Sequence, residues 1–345
     1  MPTNSNQICY LCTLIMMNMK MRFLTLILAS ILGISSCSNE FDLIEEKVET
    51  PIVYALLDYE APYQYVRLER AFASPTQSAI ELAQNPDSLY YKNAVVNLIL
   101  KRGGVDQTFT MEEVDGSDIG YPRQDGVFAK EPNKLYRISS AQLNLVPGDV
   151  VKLNINIGEG APITSETTII IKAISTFPRQ GNLVAFSPIQ KDNFKWNHTG
   201  NFPGAIFNLK AYIHYTEVLN GTASQKTLEW NIARNVTKEN YLASPGEFYN
   251  FIGSSLEKNP NITRFFDGMD YYIISGDQSM ASFLSIGQAN TGITGSGELP
   301  TYTNLSRGLG IFGSKAQTII LGLGLAPGTI SELKNNSLTK ELNFQ

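Results

Sequence analysis

Residues 205–216 read Ala205-Ile206-Phe207-Asn208-Leu209-Lys210-Ala211-Tyr212-Ile213-His214-Tyr215-Thr216, a stretch in which apolar and polar side chains alternate. Phe207, Leu209, Ala211, Ile213 and Tyr215 share one face and Asn208, Lys210, Tyr212, His214 and Thr216 the other. This is the period of two that marks a half-buried β-strand. Leu228, Trp230 and Ile232 repeat the pattern after Asn220-Gly221, a strong loop signal.

The same period recurs upstream. Val151, Leu153, Ile155 and Ile157 oppose Lys152, Asn154 and Asn156, just after the turn-forming Pro147-Gly148-Asp149. Ile52–Leu57 is a continuous apolar run, and Tyr65–Phe72 sets Val66, Leu68 and Phe72 against Arg67 and Glu69. Ala94–Leu100, Leu135–Ile138 and Thr167–Ile174 complete a series of six or seven strands in about 125 residues, the spacing of a β-sandwich. One helical insert is expected around Pro75–Gln84.

Downstream, Ser244-Pro245-Gly246-Glu247 has the spacing of a capping box with proline in the first turn, and Phe248, Phe251, Ile252 and Leu256 supply an apolar stripe. Arg264–Ile274, Leu309–Phe312 and Thr318–Leu323 are further strand candidates. Asp277–Gln288 is a second helix candidate, followed by a glycine-rich loop from Gly287 to Gly297. Thr329-Ile330-Ser331-Glu332 offers another cap. The expected fold is mainly β, with two β-sandwich-like domains, the first immunoglobulin-like, and a few short helices in the second. The Phe177-Pro178-Arg179-Gln180-Gly181 turn divides them into residues 51–176 and 177–345.

Composition restricts function. Of the 345 residues, 27 are Lys or Arg and 32 are Asp or Glu, so the net charge of −5 supplies no basic face for neutralising phosphates, and nucleic acid is not an expected partner. The three cysteines, at 9, 12 and 37, all lie near the N-terminus, which excludes a disulfide framework and a cysteine metal site in the body.

The N-terminus reads as an address. Lys20 and Arg22 precede a run from Phe23 to Ile34 that is almost wholly apolar, and Ser35-Ser36-Cys37 follows. As a helix that run rises about 18 Å, well short of the roughly 30 Å hydrocarbon core, which fits a secretion signal over residues 1–36 and not a permanent span. Residues 1–18 lie upstream of this basic start, so translation is expected to begin at Met19 or Met21. Ile34-Ser35-Ser36-Cys37 resembles the bacterial lipobox, which makes Cys37 the expected lipidation site and the membrane the first expected partner. Residues 37–50, rich in Glu and Asp, read as an acidic tether. Several acyl chains on Cys37 exceed the marginal hold of one.

The lipobox, the Ile52-Val53-Tyr54-Ala55-Leu56-Leu57 run with Tyr65-Val66-Arg67-Leu68 after it, and the late Asn304-Leu305-Ser306-Arg307-Gly308-Leu309-Gly310-Ile311-Phe312-Gly313 segment together resemble an uncharacterised family of Bacteroidota outer-membrane lipoproteins. That family is all-β and often encoded beside TonB-dependent receptors. The resemblance implies an envelope lipoprotein, and the acidic residues soon after Cys37, which resemble the export signal of surface lipoproteins in such bacteria, favour the cell-surface face of the outer membrane over the periplasmic one. The family resemblance also implies accessory service to a TonB-dependent transporter. No catalytic residue travels with it.

Catalytic signatures are missing from the chain itself. It has no His-Glu-x-x-His, no Gly-x-Ser-x-Gly and no phosphate-binding loop ending in Gly-Lys-Ser/Thr. Its two histidines, His198 and His214, need a third ligand such as Glu217 to hold zinc. Asp115-Gly116-Ser117-Asp118 and Asp267-Gly268-Met269-Asp270 read as turns and not as calcium loops, and Gly292–Gly297 lacks the lysine of a phosphate cradle. No cofactor, metal or catalytic residue is therefore expected. Phe194, Trp196, Phe202, Phe207, Tyr212, Tyr215 and Trp230 form the one aromatic concentration, with Phe207 and Trp230 on core faces and Tyr212 on the polar face. The first reading is a non-enzymatic lipoprotein that binds a partner protein, glycan or small ligand. Two others stand beside it: a carbohydrate-binding or carbohydrate-processing surface protein, whose paired carboxylates leave no sequence signature, and a structural envelope component.

Overall fold

The structure is a computed structural model that describes residues 48–73, 77–158, 160–186, 193–289 and 301–345. The signal segment, Cys37, the tether up to Lys47 and the Gly292–Gly297 run lie outside the described residues. Contacts divide the chain into residues 1–46 and 47–345, and every described element belongs to the second unit.

The protein is mainly β. In chain order the strands are β1 (Val48–Leu57), β2 (Tyr63–Ala73), β3 (Val95–Arg102), β4 (Val105–Thr110), β5 (Glu112–Asp115), β6 (Lys134–Ser139), β7 (Val150–Asn156) and β8 (Ile163–Thr168). The later strands are β9 (Ile174–Phe177), β10 (Leu183–Val184), β11 (Asn193–Asn197), β12 (Ile206–Leu219), β13 (Thr222–Val236), β14 (Asn240–Leu242), β15 (Ile262–Gly276) and β16 (Leu309–Leu325). They form a nine-stranded sheet in the order β13-β12-β15-β16-β1-β2-β6-β5, with β10 added on β16. A four-stranded sheet (β4-β3-β7-β8) and a three-stranded sheet (β14-β11-β9) accompany it.

Two cores lie on the long sheet. In the first, Val53, Ala55 and Leu57 of β1 and Val66 and Leu68 of β2 pack with Val96, Leu98 and Leu100 of β3 and Val151, Leu153 and Ile155 of β7, a sandwich of sheet on sheet. In the second, the apolar faces of β12, β13 and β15 bury against β11 and the helix Pro245–Ser255. The alternation read in residues 205–216 is observed: Phe207, Leu209, Ala211, Ile213 and Tyr215 are all buried. Each such side chain contributes about 1.5–3 kcal/mol on full burial. The helix begins where its capping box places it, with Glu247 N donating to Ser244 Oγ at 3.2 Å and Ser244 N to Glu247 Oε2 at 3.2 Å.

β16 joins the two halves. Its first part, Leu309–Ser314, pairs in parallel with Ile52–Leu57 of β1, and its second part pairs antiparallel with β15. Phe177, where the sequence suggests a domain boundary, ends β9 inside a single compact unit whose long sheet runs through both halves. The chain changes cores just before that, at residues 169–173: Ile169 belongs to the first core and Ala173 to the second. There the backbone N–H groups of Ile169, Ile170 and Ile171 donate to three separate segments, at Asp149 O, Ser314 Oγ and Phe202 O. The run expected as one strand, Thr167–Ile174, is therefore split. Conversely, the two strands expected at Leu309–Phe312 and Thr318–Leu323 are one. The polar Ser314 between them is buried, and its hydroxyl donates to Leu57 O at 3.3 Å, so it fits the sheet interior.

Smaller differences have equally local causes. The helix expected around Pro75–Gln84 spans Ala79–Ala83, capped by Ser78, and residues 74–76 lie outside the described ones. Thr329 is not a cap: the last helix starts at Pro327, and the buried Thr329 hydroxyl accepts from Phe186 N at 2.8 Å. Among the described residues no helix is long and apolar enough to cross a membrane.

Candidate functional site

The outward face of β1 and β2 carries a concentration of surface aromatics. Because side chains alternate along a strand, burying Val53, Ala55 and Leu57 turns Tyr54 and Leu56 outward, and burying Val66 and Leu68 turns Tyr63, Tyr65 and Arg67 outward. The register sets Tyr54 opposite Arg67 on β2 and Ile311 on β16, so these three form a row across the sheet. Tyr54 is 43% exposed and Tyr63 39%, although each is an apolar ring on an ordered strand.

Two walls convert this face into a groove of about 540 Å³. One is the helix Gln278–Ala289, whose Met280, Phe283 and Leu284, at helical spacing, line the cavity. The Phe283 ring meets Tyr54 edge-on at 6.1 Å and Tyr302 at 6.3 Å. Asp277 fixes this helix to the sheet. Its Oδ1 accepts from Met280 N at 2.9 Å, and its Oδ2 accepts from Ser314 N at 2.9 Å and from Thr167 Oγ1 at 2.8 Å.

The second wall is Tyr121, 55% exposed, in the loop after the short 3-10 turn Ser117–Ile119. Its ring packs edge-on against Tyr65 at 5.3 Å. Buried Asn133 holds it there: Asn133 Nδ2 donates to Tyr121 O at 2.6 Å while Asn133 Oδ1 accepts from Arg67 at 2.8 Å. Asp115, the first residue of the Asp115–Asp118 run, accepts from Ser117 N at 2.9 Å and Asn133 N at 3.2 Å, which is turn chemistry that supports the same wall.

The polar residues sit at one end. Asp58 follows β1, and Lys315 stands on β16 two residues beyond Gly313, whose partner on β1 is Leu56. Burial pushes the Asp58 carboxyl above the usual aspartate range, against the hydrogen bond from Glu60 N and the charge of Lys315. Gln64, also buried, braces the turn by accepting from Asp58 N at 2.9 Å and donating to Asp58 O at 2.7 Å. Chemically the groove is a set of ring faces with one carboxyl and one ammonium at its end. Among the described residues Asp58 is its single lining carboxylate, whereas glycoside hydrolysis requires a pair on either side of the scissile bond.

The residues singled out in the sequence fall elsewhere. Cys37 lies outside the described residues. His198 pairs with Glu239 at 2.8 Å, and His214 contacts Asp270 at 2.9 Å and Thr227 at 3.0 Å. Glu217 is committed to Arg264 and Lys226 and does not join the histidines. Among the described residues no three His, Cys, Asp or Glu side chains cluster as metal ligands. Of the aromatics concentrated in the second half, Phe194, Trp196, Phe207, Tyr215 and Trp230 are core, and Tyr212 is half-buried edge-on to Tyr272 at 5.2 Å.

The groove aromatics were not apparent in the sequence as a group, since Tyr54 and Tyr65 sit in ordinary strand runs and Tyr121 and Phe283 in a loop and a helix far along the chain. The available signal was the placement of Tyr65 on the same face as Arg67.

No protein-family model matches the chain, and no curated protein sequence does. Among solved structures it is similar to one reported as "Structural insight into host cell surface retention of a 1.5-MDa bacterial ice-binding adhesin", with 8% identity over 81% of this chain and a TM-score of 0.17. The chain spans 65% of the length of that structure, and a superposition this loose carries no argument about fold or function.

Proposed function

We propose that this protein is a lipid-anchored envelope protein, held at the outer membrane through Cys37, that binds glycan chains in the aromatic groove without acting on them. The observation that carries the reading is the groove itself, in which Tyr54, Tyr63, Tyr65, Tyr121 and Phe283 surround a surface-open cleft. Aromatic faces suit the apolar C–H faces of sugar rings, and the tyrosine hydroxyls reach sugar hydroxyls from the same side chains. A lone carboxylate suits holding a glycan better than cleaving it. β1 also places the groove: from Val48 the strand runs about 20 Å to Tyr54, away from the point where the acidic tether enters.

Two measurements test this. Calorimetric titration with a panel of neutral and uronic-acid oligosaccharides is expected to find binding that Tyr54→Ala and Tyr121→Ala each weaken about fivefold to tenfold, the loss of one stacked ring. Tyr212→Ala, on the same sheet but outside the groove, is expected to leave affinity unchanged. Absence of binding across the panel, or equal losses in all three variants, rejects the glycan reading. For the anchor, Cys37→Ala is expected to shift the protein from the detergent phase to the aqueous phase in a phase-partition assay, and unchanged partitioning rejects lipidation.

A further inference from the structure

The cations around the groove differ in one respect. Arg67 is tied to Glu69 at 2.9 Å and to Asn133 at 2.8 Å. Arg137, whose guanidinium lies 4.8 Å from the centre of the Tyr63 ring, is tied to Glu112 at 2.9 Å. Arg123 is tied to Glu69 and to Tyr90. Lys315 lines the groove half-buried, and its ammonium makes no hydrogen bond or ion pair among the described residues. A partly desolvated ammonium in an apolar cleft has lost hydration without gaining a protein partner, so an incoming anion there gains more than it would on an open surface.

The strand register shows where that charge acts. Ile311, Gly313 and Lys315 follow one another on the outward face of β16, beside Tyr54, Leu56 and Asp58 on β1. The parallel pairing of Tyr54 with Ile311 and of Leu56 with Gly313 brings Asp58 alongside Lys315 at the groove's end, beyond the aromatic stretch. Asp58 forms no ion pair with Lys315, although the charge of Lys315 acts on its carboxyl, and its Oδ1 accepts from Glu60 N at 3.1 Å. The groove therefore presents rings along most of its length, one ammonium at its end whose hydrogen-bond donors have no partner among the described residues, and a carboxyl beside it able to accept a hydroxyl hydrogen bond.

On this basis, and resting on the glycan-binding reading above, we infer that the groove selects acidic glycans: the carboxylate of a uronic-acid residue pairs with Lys315 Nζ while the sugar rings stack on the groove tyrosines. A uronic acid carries its carboxylate on the ring itself, so a single residue meets both the stacking face and the ammonium. A charge-assisted pair of this kind separates the acid from its uncharged analogue by about tenfold.

The test uses tetragalacturonic acid and its fully methyl-esterified form, which have the same rings and differ in charge. The full-length protein is expected to bind the acid about tenfold more tightly at low ionic strength, with the preference shrinking as salt is added. Lys315→Met is expected to abolish the preference, and Lys315→Arg to retain it. Thermal melts establish that both variants are folded. Equal binding of acid and ester by the unmodified protein, or an undiminished preference in Lys315→Met, overturns the inference and leaves the glycan reading standing. Failure of every oligosaccharide to bind, neutral ones included, overturns both.

Discussion

Gly310→Ala is expected to cost more than about 4 kcal/mol and to leave the protein largely unfolded in urea titrations begun under native conditions. A Cβ at this position would lie 1.9 Å from Val53 O and 2.8 Å from Val53 C, in a backbone with φ +113°. Neither side has room to retreat. Val53 is fully buried and paired on its other edge with Leu68, and Gly310 is also bridged to Thr303. Separating β1 from β16 removes the parallel pair that carries the long sheet from one core to the other. The contrasting variant is Gly287→Ala, on an exposed helical position with nothing within 4 Å, where the same added methyl is expected to stabilise by about 0.5–1 kcal/mol. If Gly310→Ala unfolds at the wild-type urea midpoint, the close approach of β1 and β16 is wrong.

The motif containing Gly310 shows what the sequence could and could not convey. Gly308-Leu309-Gly310-Ile311-Phe312-Gly313 stands out as a pattern, but nothing within it says that its glycines face another strand. The structure supplies the reason: at Gly308 a Cβ would meet Pro51 O at 2.4 Å, as at Gly310 it meets Val53. Local regularities were legible because their causes are local. The alternation of β12 and the capping box of Ser244 and Glu247 depend only on neighbouring residues. Pairing of β1 with β16 has no such cause, since parallel strands at opposite ends of a chain share no turn whose composition betrays them.

For the same reason the domain division reads naturally from the Phe177–Gly181 turn while the sheet ignores it. The groove was hidden at a further level. Its rings come from two strands, a loop and a helix, and on the strands they occupy the face that alternation assigns to solvent. Tyr54 and Tyr65 follow the period of two perfectly well, and the groove depends on Phe283 and Tyr121 arriving against them.

Arg264→Met carries the second large expected effect, a loss of about 3–5 kcal/mol, because the guanidinium is 1% exposed and two of the partners it leaves, Glu217 and Leu342, are buried. Its Nε donates to Glu217 Oε1 at 2.9 Å, Nη1 to Leu342 O at 2.8 Å and Nη2 to Glu257 O at 3.0 Å. The Arg264 backbone also binds the last residues of the chain, through Asn343 O and Gln345 N. The side chain thus serves both an ion pair and the docking of the C-terminus, and the two roles are separable by pH and by a second substitution.

Burial alone raises the Glu217 carboxyl, but hydrogen bonds from Lys226 and Arg264 outweigh it and hold the group below its ordinary value of 4.5. A depressed folded-state value stabilises above the unfolded value and loses that contribution as pH falls through the folded one, so the wild-type protein is expected to weaken below about pH 4.5. Arg264→Met removes a main cause of the depression and should flatten that acid limb.

Pairing Arg264→Met with Glu217→Leu removes the carboxylate that the single variant leaves with Lys226 alone. Replacing both partners of a buried ion pair by apolar groups is tolerated far better than removing one, so the double variant is expected to recover part of the lost stability in denaturant unfolding. If it recovers nothing, the stabilisation resides in the carbonyls of Leu342 and Glu257. The arginine is then a clasp for the C-terminal residues, and its charge pairing with Glu217 is incidental.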